Sequence, residues 1–277
     1  QVLWYETHAR GFVLHKTPIS VASQFSAYMK NRQCAWVFTS ATLSVGGRFD
    51  HFSQGLGIGD ARACSWDSPF DFKQQALLYA PQDMPDPNNE SYVEAVIKVV
   101  AAVIEISRGR TFVLVTSYRN LNAVAAYFRK TINFPLLVQG DLPRTELLER
   151  FRSLGNAVLI GTSSFWEGVD VKGEALSCVI IDKLPFSAPD DPVLQARIDE
   201  MQKCGANAFM SIQLPRAVIA LKQGVGRLIR DVNDRGVLVI CDPRLYTKSY
   251  GRVFIRSLPS METTRDIDQV AQFFNQE

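Results

Sequence analysis

The stretch TFVLVTSYRNLNAVAAYFRK, residues 111–130, decides the fold. Its first five residues are β-branched or apolar without alternation, which predicts a strand covered on both faces. Thr116 and Ser117 interrupt the run, and residues 121–130 return to a helical pattern. This unit of strand, short hydroxyl turn and helix recurs along the chain. Further strands are expected at residues 35–38, 76–79, 136–138, 157–160, 178–181 and 237–241, and further helices at 19–29, 92–107, 145–151, 194–203 and 215–230. Such alternation argues for an α/β fold, a parallel sheet with helices on both faces. Residues 81–90, PQDMPDPNNE, read as a turn-rich acidic linker, and a domain boundary is expected between Gly57 and Pro69.

Composition sets the outer limits. The 277 residues are 47% hydrophobic and 21% charged, a balance that excludes wholesale disorder. No apolar run approaches the roughly 18 residues of a membrane span, so no membrane partner is expected. The length allows one large domain or about two small ones. The chain opens on Gln1 with neither Met nor a leader-like segment, which predicts a piece of a longer protein. Cys34, Cys64, Cys178, Cys204 and Cys241 form no CxxC pair, and His8, His15 and His51 lack ligand spacing. No metal site is expected within the chain, and scattered free thiols suit a reducing cytoplasm.

The formal net charge of +2 hides an asymmetry, because residues 214–256 hold nine basic side chains against three acidic ones. A local surplus of this kind points to a phosphate-bearing partner, the plainer alternative being a solvated basic face. Yet no GxxxxGK[ST] loop occurs, and the cluster Gly55, Gly57 and Gly59 lacks the lysine and preceding strand of a phosphate cradle. The chain has no evident way to hold nucleotide phosphates by itself.

Four stretches carry chemistry. In LPRAVIALKQGVGRLIRD, residues 214–231, a helix turning about 100° per residue would gather Leu214, Val218, Leu221, Val225, Leu228 and Ile229 on one stripe. Arg216, Ala220, Gln223, Arg227 and Arg230 fall on the opposite stripe. Gly224 and Gly226 each cost about 1 kcal/mol relative to Ala inside a helix, which suggests close approach to this face. Guanidinium forks suit phosphate oxygens and can stabilise charge developing on a γ-phosphate. In LIGTSSFWEGVDVKG, residues 159–173, a strand ends at Gly161 and Thr162, Ser163 and Ser164 follow, where open α/β sheets bind ligands. Glu167 and Asp170 bring two carboxylates around Gly168, while Phe165 and Trp166 read as core aromatics. FTSATL at 38–43 and VLVTSY at 113–118 repeat the pattern of strand, then hydroxyls.

In this order the four stretches resemble the C-terminal motor half of superfamily 2 helicases. TSATL is similar to motif III, FVLVTSY to motif IV, SFWEGVDVKG to motif V and QGVGRLIR to motif VI. FWEGVD together with KLPF at 183–186 and the following APDDP resembles the XPD/DinG family of DNA helicases, on its bacterial DinG/YoaA-type branch. The resemblance implies a RecA-like sheet of the P-loop NTPase type. It implies ATP and Mg²⁺ in a site shared with an N-terminal motor domain of the same protein, single-stranded DNA as partner, and 5′-to-3′ movement in DNA repair or replication. Arg227 and Arg230 would be the catalytic arginines. Gln223, Glu167, Gly168, Asp170 and Thr42, with Thr39 and Ser40, would bind ATP or couple it to the strand. Ser117, Thr162, Ser163 and Ser164 would touch DNA, and Asp242 with Arg244 would close the cleft.

The departures from the family pattern matter equally. Walker A, Walker B and the four cysteines of a [4Fe-4S] cluster are absent, so they are expected in an upstream half. Residues 1–60 then read as the tail of the first motor domain and 61–277 as the second, inactive as an isolated fragment. Two alternatives stand beside this reading. Ile267, Val270, Ala271 and Phe274 give one helix an apolar face that either packs on its own domain or docks a protein, for which the resemblance implies a chi-like replisome subunit. The other alternative is half of an RNA helicase, against which WEGVD and LPF argue.

Overall fold

The computed structural model describes residues 1–162, 165, 175–187 and 191–276. Along the chain lie β1 Val2–His8, β2 Gly11–Thr17, α1 Ala22–Lys30, α2 Asp50–Leu56, α3 Phe72–Gln75, β3 Ala76–Tyr79, α4 Tyr92–Ser107, β4 Thr111–Val115 and α5 Tyr118–Thr131. Next come β5 Leu136–Val138, α6 Arg144–Leu154, β6 Val158–Thr162, β7 Cys178–Ile181, α7 Pro192–Lys203, a π-turn Phe209–Gln213 and α8 Leu214–Val225. The last are β8 Gly236–Ile240, α9 Arg244–Thr247, α10 Gly251–Ser257, β9 Glu262–Thr264 and α11 Ile267–Asn275. Contacts divide the chain into two compact units, Gln1–Trp66 with Phe186–Ile219, and Asp67–Pro185 with Ala220–Glu277.

The second unit is built on a seven-stranded sheet in the order β5-β6-β4-β7-β8-β3-β9, with every pair parallel. The central strands are buried along their whole length, as unalternating apolar runs require. Val113 lies opposite Ile160 on one side and Ile180 on the other. On that face these residues pack with Val96, Val100 and Ile104 of α4, Val124 and Phe128 of α5, and Val270 and Phe274 of α11. On the opposite face Phe112 meets Phe151 of α6 at 4.6 Å between ring centres. Each such side chain contributes about 1.5–3 kcal/mol by leaving water. The turn from α4 into β4 admits only glycine at 109: φ is +78°, and a Cβ there would stand 1.9 Å from the Asn156 carbonyl oxygen.

The first unit is different in kind. β1 and β2 form an antiparallel ribbon in which Tyr5 pairs with Leu14. Trp4 stacks on His15 at 3.8 Å, while Leu3, Tyr5, Phe12 and Leu14 are exposed. Phe25, Tyr28, Trp36, Phe38 and Phe52 form an aromatic cluster with centroid distances of 5.6–6.3 Å. No residue from Gln1 to Trp66 is buried. The buried part of this unit includes Leu194 and Ile198 of α7 with Ala208. The start of α7 is fixed by the Asp191 carboxylate, which accepts from the Val193 and Leu194 N–H groups, and by Pro192 in its first turn.

Two expectations change, and one element is added. Residues 35–38 form no strand; Trp36 and Phe38 are held by the aromatic cluster instead. The added element is the β1–β2 ribbon, whose turn, Ala9–Arg10, lacks the Asn-Gly or Gly signal of tight hairpins. The helix expected over 215–230 stops at Val225. Beyond it the Arg227 and Leu228 N–H groups bond three residues back, to Gly224 and Val225, at 3.2 and 2.9 Å. The glycines weaken the α-helix here, and the chain tightens into a turn with about three residues per turn.

Candidate functional site

The strands of the second unit end in polar residues on one edge. After β7, Asp182 is 1% exposed. Its Oδ1 accepts from the Thr116 N–H at 2.9 Å and the Lys183 N–H at 2.6 Å, and its Oδ2 accepts from Asn120 Nδ2 at 2.8 Å. The Tyr92 hydroxyl donates to the Asp182 carbonyl. Burial pushes the Asp182 carboxyl up to about 6, with Asn120, Lys183 and Thr116 opposing. After β8, Asp242 is equally buried but takes a guanidinium: Arg244 Nη2 reaches Oδ2 at 2.6 Å, and Leu184 N–H donates to the same oxygen at 2.8 Å. The D-x-R pair thus clamps the start of the KLPF segment from within the sheet.

The expected strand-contact hydroxyls separate into two situations. Ser117 caps α5, its Oγ accepting from the Asn120 N–H at 3.1 Å, and stands half-buried after β4. Thr162 is buried at the end of β6, where its N–H and hydroxyl both point to Gln139 Oε1, at 2.6 and 3.0 Å. Gln139 in turn donates to the Tyr118 hydroxyl at 3.2 Å. Ser163, Ser164, Glu167, Gly168 and Asp170 lie outside the described residues. Phe165 is buried, as a core aromatic should be, and the Arg144 guanidinium lies 5.5 Å above its ring.

Leu214, Val218, Leu221, Val225, Leu228 and Ile229 are all buried, as the stripe predicted. Gln223 and Arg227 are half-buried, and Arg230 follows beyond the helix end. Arg227 Nε is buried and has no hydrogen-bond partner among the described residues. Burial, and then the charge of Arg144, pull the Arg227 guanidinium below its ordinary range. Burial does the same to Arg230, with Asp234 opposing and Arg152 adding to it. The segment that follows is anchored: Asp234 accepts from the Arg230 and Asp231 N–H groups at 2.8 and 2.9 Å. Gln75 Nε2 lies within 3.0 Å of the carbonyls of Asp231, Val232 and Asp234. Gln75 and Gln139 were invisible in the sequence, because their partners are distant along the chain.

In the first unit Thr42 is half-buried, its N–H 3.2 Å from Ser40 Oγ. It lines a cavity of about 710 Å³ with Leu43, Phe52, Arg197, Ile212 and Arg216. Arg216 therefore belongs to the first unit, and Gln223, Arg227 and Arg230 to the second. Cys178 and Cys241 are buried, and burial pushes the Cys178 thiol up to about 12. Among the described residues no three His, Cys, Asp or Glu side chains converge as a metal site, and no helix is long and apolar enough to cross a membrane.

A parallel sheet with hydroxyls and carboxylates at its strand ends, followed by an arginine-bearing turn, defines the class as a RecA-like helicase motor fold. The chain belongs to the helicase C-terminal domain family, whose profile matches residues 100–261. It is 50% identical, over 98% of its length, to the ATP-dependent DNA helicase YoaA of Haemophilus influenzae, of which it covers 42%. It is 37% identical, over 93% of its length, to the ATP-dependent helicase DinG of Mycobacterium tuberculosis, of which it covers 39%. The chain thus spans about two fifths of these curated relatives. The solved structure of an XPD helicase shares the fold, with a TM-score of 0.52 at 19% identity, covering 69% of this chain and 35% of that one.

Proposed function

We propose that the chain is the C-terminal motor half of an ATP-dependent DNA helicase, contributing arginines to a nucleotide that another domain holds. The observation that carries this reading is the segment after α8, with Arg227 half-buried and its Nε without a partner among the described residues, and Arg230 three positions on with its backbone anchored by Asp234, in a chain whose sequence holds no GxxxxGK[ST] loop. Arg227 and Arg230 would complete the ATP site, with Gln223 beside them and Thr42 coupling it to the strand. Closing and reopening of the cleft around ATP would then shift the strand grip along single-stranded DNA. Ser117, half-buried after β4, would donate a hydrogen bond to a DNA phosphate. Thr162, committed to Gln139, is a weaker candidate.

The remaining parts of the reading follow the family resemblance. They are 5′-to-3′ movement, a role in repair or replication, and residues 1–60 as the tail of the first motor domain. Mg²⁺ and the [4Fe-4S] cluster would be held outside this chain, whose described residues offer no fitting ligand set. Val270 and Phe274 are buried against the sheet and α4, which favours packing of α11 on its own domain over docking of a partner there. A chi-like replisome subunit would need another surface, and a strand-preference assay separates DNA from RNA. The test of the reading is Arg227→Ala in the full-length enzyme. ATP turnover should fall by about 10³-fold or more, and a loss under roughly tenfold would contradict the assignment.

A further inference from the structure

We propose that Asp182 is a positioning residue for strand binding, its ionised carboxylate holding the β4–α5 turn in the shape in which Ser117 meets a DNA phosphate. The inference rests on the reading of Ser117 given above. Three elements converge on this one carboxylate: the end of β4 through Thr116, the first turn of α5 through Asn120, and the chain leaving β7 through Lys183. The Thr116 hydroxyl adds a fourth approach at 3.4 Å. Thr116 precedes Ser117, and Asn120 closes the cap that Ser117 makes, so Asp182 restrains the turn from both sides. Since Ser117 Oγ is the acceptor in that cap, its own proton remains free to be donated.

The charge state of Asp182 decides whether this arrangement persists. An ionised carboxylate is acceptor-only and can serve all these donors, whereas a protonated one carries a donor of its own and cannot. The titratable groups around it are Lys183 on the same segment, Tyr92 from α4, and Cys241 with the Asp242–Arg244 pair from the β8 end. The Lys183 ammonium is engaged elsewhere, donating to the Pro87 carbonyl at 2.7 Å. No guanidinium is bonded to Asp182 among the described residues, in contrast to Asp242. Burial accordingly raises the Asp182 carboxyl to about 6, within reach of ordinary assay conditions.

The sign of the effect separates positioning from plain electrostatics. Removing a negative charge near a phosphate contact should tighten DNA binding; loss of the turn's shape should weaken it. The test is fluorescence anisotropy of the full-length helicase with a labelled oligo-dT strand at fixed low ionic strength, across pH 5–8. Wild-type affinity should fall about fivefold as pH drops through about 6, the loss of roughly one hydrogen bond. Asp182→Asn should be weaker by about the same factor at pH 8 and flat with pH. A thermal melt checks that it is folded, and Asn120→Ala, which removes one of the donors, should weaken binding in the same direction. Wild-type or tighter binding by a folded Asp182→Asn, or an unchanged pH profile in it, overturns the proposal. If Asp182→Asn does not fold, a wild-type affinity that does not fall below pH 6 overturns it instead. Ser117→Ala separates the layers: unchanged binding there overturns the Ser117 reading and the inference with it. Weakened binding there beside an unaffected Asp182→Asn overturns the inference alone.

Discussion

The seven-stranded sheet and the β1–β2 ribbon are both written in β-branched and aromatic residues, yet only one of them buries what it carries. Every residue of β7, Cys178–Ile181, is buried, while Leu3, Tyr5, Phe12 and Leu14 of the ribbon are 76%, 68%, 66% and 75% exposed. Strand character alone does not make a core. The sheet has helices on both faces to close against, whereas a two-stranded ribbon is marginal in water without another layer. The sheet is therefore the self-sufficient half. An unburied ribbon and aromatic cluster accord with the proposal that residues 1–60 belong to a neighbouring motor domain.

Substitutions in the two regions probe this contrast. Phe151→Ala, at a fully buried ring under the sheet, should cost about 3–5 kcal/mol in urea denaturation. The two ion pairs differ in the same sense. Arg244→Ala leaves the fully buried Asp242 carboxylate unpaired and should cost about 3 kcal/mol, while Arg48→Ala, in a pair exposed on both sides, should change nothing measurable. Asp182 makes a smaller, pH-dependent contribution. Its folded-state value lies above the unfolded 3.8, so the stability it adds is complete below about pH 4 and is lost as pH rises through about 6. Between pH 7.5 and 5 the wild type should gain about 1.5 kcal/mol that Asp182→Asn does not. The same protonation loosens the turn at Ser117, so fold stability and strand grip should move in opposite directions. Phe12→Ala on the ribbon is expected within about 0.5 kcal/mol of wild type by the same denaturation, as small an effect as that of Arg48→Ala. A loss there matching that of Phe151→Ala would erase the contrast.

What the sequence could disclose follows the same division. Residues 76–79, 111–115, 136–138 and 178–181 are strands, and 92–107 a helix, where apolar runs and periodicity put them, because local pattern and burial agree in the sheet. Residues 35–38 show an equally apolar pattern but find an aromatic cluster instead of a neighbouring strand. At the proposed site, the spacing of the arginines suggests a shared helix face, but the helix ends at Val225, short of both Arg227 and Arg230. Asp182 left a faint trace, a carboxylate directly after an apolar strand. Gln75 and Gln139 left none, since an amide bonded to groups distant along the chain has no local signature.

The central claim is that these arginines serve a nucleotide held by another domain. The decisive assay is ATP turnover by the purified 277-residue chain. No turnover above a blank is expected, with or without single-stranded DNA, because the sequence holds no GxxxxGK[ST] loop to cradle the phosphates. Turnover that co-purifies with the chain and disappears in Arg227→Ala would contradict it.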